Sequence, residues 1–422
     1  MATQRGKVVI VGASMAGQSA AVELRKQGYD GEILMVSQEE HLPYDRPPLS
    51  KKIITREWDF EKIKLKDADF YSENNIQLKL GHQIGQVDPV AKTITTVSME
   101  VIGYDVLILA TGGRPRRLDV PGRDLDGIHQ VLEYSDSLRV AEELGAGAQR
   151  VVVVGGGFIG AEAAAALAEH GKDVSLIEVS PSPMSYALGS EVGDVFNRIF
   201  KEEGVTLDTK TTIASYHGAD GRVTHAKSFD GKVFEADLVI ECVGILPNVE
   251  LAEAAGCRVD NGVVVDGFMR TNVEDVYAIG DIARFPSHYA DGPRNGEATG
   301  LVRIEHWAVA IGHGAAAARA ICGSDDPYDE LPWFWSDQFG VTYNYAGHAT
   351  TWDQTVWRGD VGERKFSVFY LREGRLAGAL CAGRPKDFRA AKKLLSDGSP
   401  IDLEVLADPD SDLLKYAKSV SS

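Results

Sequence analysis

Two glycine-punctuated segments carry the residue types and spacings from which chemistry can first be argued. In the N-terminal one, Val8–Val11 runs into Gly12-x-Ser14-x-x-Gly17, and a helical pattern follows to Gly28. In the other, Val151–Val154 runs into Gly155-x-Gly157-x-x-Gly160. An alanine-rich helical pattern then reaches Gly171, and the strand-like DVSLIE ends in Glu178. In such a unit the first glycine turns the chain and the second position lets backbone approach a pyrophosphate. The third lets helix and strand pack closely, with the helix N-terminus facing phosphate charge. A carboxylate closing the second strand suits ribose hydroxyls, a place held by Glu178 and, after EILMVS, by Glu39. Ser14 departs from the glycine pattern, but it is small and its hydroxyl can donate to phosphate.

A lone loop of this kind is weak evidence, and a structural turn with no ligand is the alternative. Strand, three small residues, helix, second strand and terminal acid in that order is a stronger signal. Here it occurs twice, offset by 143 positions (155 − 12). Two such units suggest two dinucleotides held face to face, the layout for passing a hydride from a nicotinamide to a flavin. No arginine lies in VSPSPMSYALG after Glu178, and a carboxylate repels a 2′-phosphate, so NAD is expected over NADP.

The elements that must position these loops belong to a chain of 422 residues, 44% apolar and 25% charged. That is ordinary globular composition and enough for two or three domains. A net charge of −18 argues against nucleic acid as a main partner. The four cysteines, Cys242, Cys257, Cys322 and Cys381, form no Cys-x-x-Cys, which argues against a disulfide frame, a zinc ribbon or a dithiol centre; no metal site is expected. Arg5 and Lys7 precede an apolar run, but Gly12 and Gly17 interrupt it and it passes into ELRKQ, unlike a signal peptide. No run reaches the length of a membrane span, and a cytoplasmic location is expected.

Seven further segments, in order, carry a resemblance. They are HLPYDRPPLSK (41–51), YDVLILATGGRPRRLDVPG (104–122), GGGFIGAEAA, ADLVIECVGILPNVEL (236–251), TNVEDVYAIGDIA (271–283), RIEHW (303–307) and PWFWSDQ (332–338). With them the chain resembles, over nearly its whole length, the FAD-dependent, NADH-using ferredoxin reductases of bacterial oxygenase systems, within the glutathione-reductase-like flavoproteins. The resemblance implies an α/β fold with two Rossmann-like dinucleotide-binding domains plus a C-terminal α+β domain. It implies FAD and NAD as cofactors, a [2Fe–2S] ferredoxin as electron acceptor, and a terminal oxygenase, Rieske or cytochrome P450, served indirectly.

Residue roles follow from the same resemblance. FAD is expected against Gly12, Ser14, Met15, Ala16, Gly17, Glu39, Arg46, Lys51, Ile84 and the Ala110–Thr111–Gly112 turn. Asp281 is placed at the ribityl hydroxyls, and His306 and Trp307 at the pyrimidine end of the flavin. NAD is expected against Gly155, Gly157, Phe158, Ile159, Gly160, Glu162, Glu178 and Gly244, with Phe158 covering the nicotinamide pocket. Lys51, paired with Glu162, is expected near the reactive edge of the flavin, where a cation stabilises negative charge. Trp335 is expected on the acceptor side. Taken alone, Asp281 could equally cap a helix, Lys51 could be a solvated helix start, Phe158 could be core, and PWFWSD could be a buried aromatic cluster. One departure stands out: many relatives have Arg-Thr where this chain has Leu132-Glu133, which removes one expected cofactor contact.

The FAD domain is expected to be discontinuous, 1–115 and 247–325, around an NAD domain at 116–246. GRPRRLDVPG and VGILPN read as the crossings. The remaining residues, 326–422, read as a domain with two strands around Glu373-Gly374 and a helix from Asp387 through Leu395. Positive charge for steering an acidic ferredoxin is sought at Arg303, Lys386, Arg389, Lys392 and Lys393, with Arg284 and Arg294 behind, although a solvated helix face would look the same. Competing expectations are an NADH oxidase or peroxidase of the same fold, whose flavin-side cysteine is missing from HLPYDRPPLSK, and a redox-regulated binding protein.

Overall fold

The computed structural model describes residues 6–289, 300–398 and 401–420. Its first sheet has the order Val276–Ala278, Val106–Leu109, Val8–Val11, Ile33–Val36, Ile76–Lys79, with every pair parallel. In register, Val8 sits opposite Ile33 on one side and Val106 on the other. The three central strands read VLIL, VVIV and ILMV. Such near-continuous apolar runs are what a sheet covered on both faces requires. The helix Met15–Lys26 packs along Trp307–Ile321. A side chain at Gly314 would begin 2.4 Å from the Ala16 carbonyl oxygen, so the small residues of IGHGAAAA set how closely the two helices approach.

The second sheet repeats the plan. Its order is Thr206–Thr209, Asp173–Glu178, Arg150–Val154, Leu238–Glu241, Ile128–His129, again all parallel. In both sheets the chain leaves the central strand to one side and returns on the other, which opens a crevice at the strands' C-terminal ends. The two sheets are tied by a ribbon in which Gly113–Pro115 pairs antiparallel with Ile245–Pro247.

From Trp333 onward the chain forms a five-stranded antiparallel sheet in the order Trp333–Gln338, Val341–Gly347, Arg375–Ala382, Lys365–Arg372, Gln354–Asp360. Lys365–Arg372 and Arg375–Ala382 form the hairpin read at Glu373-Gly374, both of which take positive φ (52° and 73°). The following helix spans Pro385–Asp397, two residues beyond the expected range at each end. Proline suits a first helical turn because it has no N–H to leave unsatisfied, and Gly398 in the left-handed region ends the helix. The α/β class with two parallel dinucleotide-type sheets and a C-terminal α+β part therefore holds. Sequence reading missed Arg358, 3% exposed, which donates to Asp387 Oδ2 at 3.1 Å and to the carbonyls of the 405–411 segment, stapling the C-terminal helices to the sheet.

Candidate functional site: a dinucleotide cavity

A cavity of about 850 Å³ opens at the C-terminal ends of the first sheet and runs to the first turn of the Phe158–Glu169 helix, which follows the second sheet's glycine loop. One end is built by the first loop. Gly12 has φ +110°, and a Cβ there would lie 2.1 Å from Ala110 O; at Gly17 it would lie 2.0 Å from Gly12 O. The middle position differs. Ser14 (φ −81°, ψ −166°) and its counterpart Gly157 (φ −70°, ψ −176°) share ordinary extended backbone, and a Cβ at Gly157 meets nothing within 4 Å. Glycine there is a matter of ligand room and not of backbone strain, which is why serine fits. Ser14 makes no capping hydrogen bond, so the first-turn N–H groups at Met15, Ala16 and Gly17 have no partner within the helix. They are placed for an anion.

Gly12, Ser14, Met15, Ala16, Glu39 and Arg46 line this end of the cavity, with Ile84 nearby, while Gly17 is buried behind the loop. Arg46 donates from Nε to Ser14 Oγ at 3.1 Å, from Nη1 to Leu132 O at 2.5 Å and from Nη2 to Glu39 Oε1 at 2.6 Å. The Tyr44 hydroxyl donates to the other Glu39 oxygen. The middle of the cavity is walled by Ala110, Thr111, Gly112 and Asp281. Asp281 stands on the Gly280–Ile282 turn, brought to the first helix by Gly280, where a Cβ would lie 2.9 Å from that of Ala16. Its carboxylate makes no hydrogen bond to the protein, and burial, then the neighbouring Glu305, push it up to about 6.

At the far end His306, Trp307, Phe158, Ile159, Glu162 and Trp335 come together. Phe334 packs between Phe158 and His306, each ring pair at 4.6 Å. Burial and His348 push His306 down to about 3, so its imidazole is neutral near pH 7, and its Nδ1 has no partner. Trp307 donates to Asp45 Oδ1 at 2.8 Å and packs edge-on to Trp335 at 5.6 Å. Trp333 follows at 6.0 Å with Lys392 Nζ 4.7 Å above its ring.

Beneath this end lies a buried ionic knot. Glu162 accepts from Ser50 (2.8 Å), Lys51 (3.1 Å), Ser336 (2.9 Å) and the Asp337 N–H (3.2 Å), and Lys51 also reaches Asp337 at 3.2 Å. Lys51 is 8% exposed, not a solvated helix start. Burial raises Glu162, opposed first by Lys51 and then by the serine hydroxyls. Ser50, Ser336 and Asp337 were missed in the sequence. The motifs PLSK and WSDQ contain them, but only the fold shows that they converge on one carboxylate.

The second loop stands at the cavity's edge. A Cβ at Gly155 (φ +102°) would meet Cys242 O at 2.3 Å, and one at Gly160 would meet Gly155 O at 1.9 Å, so this loop is as tight as the first. Gly157 and Gly244 face open space. Glu178 is buried and accepts from the Gly156 N–H (2.5 Å) and the Ser180 N–H (2.6 Å), so its carboxylate braces the loop as well as closing the strand. Cys242, behind the loop, is pushed up to about 12 by burial and is not poised as a thiolate. Among the described residues no group of three or more His, Cys, Asp or Glu is arranged to hold a metal.

Two glycine loops on two parallel sheets, the helix after the second reaching the cavity that the first one lines, fit a dinucleotide-dependent oxidoreductase. The chain belongs to the pyridine nucleotide-disulphide oxidoreductase family, whose pattern matches residues 6–314, and residues 333–417 match the reductase C-terminal family. It is 37% identical to rhodocoxin reductase of Rhodococcus erythropolis, over 96% of this chain and 93% of that one. It is 32% identical to putidaredoxin reductase of Pseudomonas putida, over 98% and 97%. Among solved structures it is similar to the covalent putidaredoxin reductase–putidaredoxin complex (TM-score 0.94, 32% identity, all of both chains). It is also similar to a ferredoxin reductase from Rhodopseudomonas palustris (TM-score 0.92, 33% identity, 97% of this chain and 99% of that one). The residues present fit FAD. The loop at Gly12–Gly17 is a cradle that a Cβ would fill, its helix N–H groups await an anion, and the unpartnered Asp281 carboxylate awaits hydroxyl donors.

Proposed function

We propose that the chain is an NADH-dependent ferredoxin reductase: FAD, when bound, supplies the acceptor for a hydride from NADH and releases electrons singly to a [2Fe–2S] ferredoxin that serves a Rieske or cytochrome P450 oxygenase. The observation that carries this is the single cavity joining a phosphate-type loop at one end to Phe158, Glu162 and Trp335 at the other. The protein's own work is orientation and exclusion of water. Gly12–Gly17 and Asp281 hold the flavin dinucleotide. Phe158 and Phe334 shape the wall where the nicotinamide arrives, and Gly157 and Gly244 leave room for its phosphates. Glu178 takes the adenine ribose, an NAD-type recognition. The knot of Lys51, Glu162 and Asp337 keeps the first turn of the Phe158–Glu169 helix in place and puts a cation next to the cavity wall.

In this reading residues 1–115 and 247–325 form the FAD domain, 116–246 the NAD domain and 326–422 the C-terminal domain. The ferredoxin docks over Trp333 and Trp335. Lys386 and Arg389 are exposed on the Pro385–Asp397 helix with no ion pair, whereas Lys393 pairs with Asp397 and Lys392 covers Trp333. Arg303 and Arg284 are paired with Glu305 and Asp260, and Arg294 lies outside the described residues. No helix among the described residues is long and apolar enough to cross a membrane. The same reading places the reductase in the cytoplasm.

The test is anaerobic NADH oxidation by the FAD-loaded protein with and without a [2Fe–2S] ferredoxin, with NADPH and oxygen as controls. Fast NADH-dependent ferredoxin reduction with little oxygen use supports the reading. Rapid oxygen or peroxide turnover with slow ferredoxin reduction moves the function to an oxidase or peroxidase. A long-lived reduced complex with no good acceptor moves it to a redox-regulated binding protein.

A further inference from the structure

The phosphate-loop end of the cavity has an unusual charge balance. It is lined by two carboxylates, Glu39 and Glu133, by one guanidinium, Arg46, and by the imidazole of His82, which is common to wild type and every variant below. Each nitrogen of Arg46 already makes one bond within the protein, to Ser14 Oγ, Leu132 O and Glu39 Oε1. The ion pair of Arg46 is with Glu39, and Glu133 feels that cation only at a distance. The Glu133 carboxylate accepts from neutral donors, Gln38 Nε2 at 3.1 Å and the Asp136 N–H in the capping box of its helix. Its position is fixed. Asp136 Oδ2 accepts from the N–H groups of Leu132 (3.2 Å) and Glu133 (2.9 Å), which holds the segment at the start of the Tyr134–Gly145 helix.

We infer that Glu133 is an anion-opposing residue of the cavity wall that loosens the chain's hold on the phosphates of its flavin dinucleotide and makes cofactor retention depend on proton uptake. The inference rests on the FAD reading and goes beyond it to the regulation of that site. A dinucleotide brings about two negative charges to a loop whose helix N–H groups attract them. A fixed carboxylate on the facing wall works against that attraction, more strongly in a partly enclosed site than in water.

The titratable and charged groups around Glu133 are Glu39 and Arg46 from the first sheet's loops, Asp136 on its own helix, and Tyr44, which donates to Glu39. Burial, then Glu39, raise Glu133 above the ordinary carboxylate value, with Arg46 opposing. The sign follows from linkage. A dianion bound nearby raises Glu133 further, so FAD binding takes up protons, and affinity rises as pH falls towards and through that carboxylate's range.

The experiment dilutes the FAD-loaded full chain and follows released FAD by its fluorescence, from pH 5.5 to 8.5, for wild type, Glu133→Gln and Glu133→Asp. At pH 8 the Glu133→Gln protein is expected to hold FAD about three- to tenfold more tightly than wild type. The difference should shrink towards pH 5.5 and narrow with added salt. Glu133→Asp, which keeps the charge, should keep the wild-type pH slope. The Glu133→Gln to wild-type ratio is the readout, because any titration of Asp281 is common to both. A lost helix-end charge would weaken binding, so tightening is not explained by a structural role. Equal pH slopes in the two proteins, or weaker binding by Glu133→Gln, overturns the inference alone. A wild-type chain that retains no FAD at any pH overturns the cofactor reading beneath it.

Discussion

Replacing Asp281 by asparagine separates what this carboxylate costs the protein from what it does for a bound flavin. The group stands in the cavity wall without a hydrogen-bond partner and is pushed from 3.8 to about 6, chiefly by burial. That rise corresponds to about 3 kcal/mol. The folded value lies above the unfolded one, so the group destabilises the FAD-free fold. The penalty is absent below about pH 4, grows as the pH rises to about 6, and is fully present above that. Asparagine has the same shape and no charge. FAD-free Asp281→Asn should therefore resist unfolding better than FAD-free wild type at pH 7.5, by up to about 3 kcal/mol, less what water in the open cavity screens. The gain should vanish near pH 4. With FAD the gain should be largely offset, because a charge-assisted acceptor for hydroxyls is worth about 1.5–3 kcal/mol, roughly 10- to 100-fold in affinity. The assay is unfolding followed by tryptophan fluorescence, with and without FAD, together with FAD release measured separately. A FAD-free Asn variant less stable than wild type at pH 7.5, or one with unchanged FAD affinity, would refute the reasoning.

Further expectations concern the loop, the ionic knot and the docking face. Gly17→Ala should abolish FAD retention, because its Cβ would sit 2.0 Å from Gly12 O, whereas Ser14→Gly should be tolerated; FAD content after gel filtration distinguishes them. Lys51→Met leaves Glu162 buried without its cation and should cost about 3–5 kcal/mol of stability, part of it recovered in Lys51→Met/Glu162→Gln; a double-mutant cycle on unfolding with equal and additive losses would contradict this. Charge reversal at Lys386 and Arg389 should raise the ferredoxin's apparent KM about three- to tenfold at low salt while dye reduction stays unchanged. Unaltered ferredoxin kinetics would remove that helix from the docking face.

Much of the architecture was legible because its signals are local. Apolar runs such as VVIV and VVVVG, followed by glycines at fixed offsets, encode a strand, a turn and a helix within some fifteen residues, and their repetition encodes two parallel sheets. The hairpin at Glu373-Gly374 was legible for the same reason, since its two positive-φ residues are neighbours in sequence. Ser14 was readable as a departure, but why it is harmless was not; that needed the backbone angles and open space at Gly157.

What the sequence by itself determined is the set of short-range devices: the glycine turns, the apolar strands, the closing acids and the absence of a paired-cysteine motif. The Lys51–Glu162 pair was expected from the resemblance, but tertiary structure decided which further charged residues join it. Lys51, Glu162 and Asp337 are separated by more than a hundred residues each, yet share one buried knot. Arg46 donates to Ser14, Leu132 and Glu39 and pairs with Glu39, not with Glu133. Periodicity specifies which face of an element is buried, whereas the pairing of charges depends on where separate elements bring their ends together, and that is set only when the sheets, the Gly113–Pro115 ribbon and the C-terminal sheet have packed.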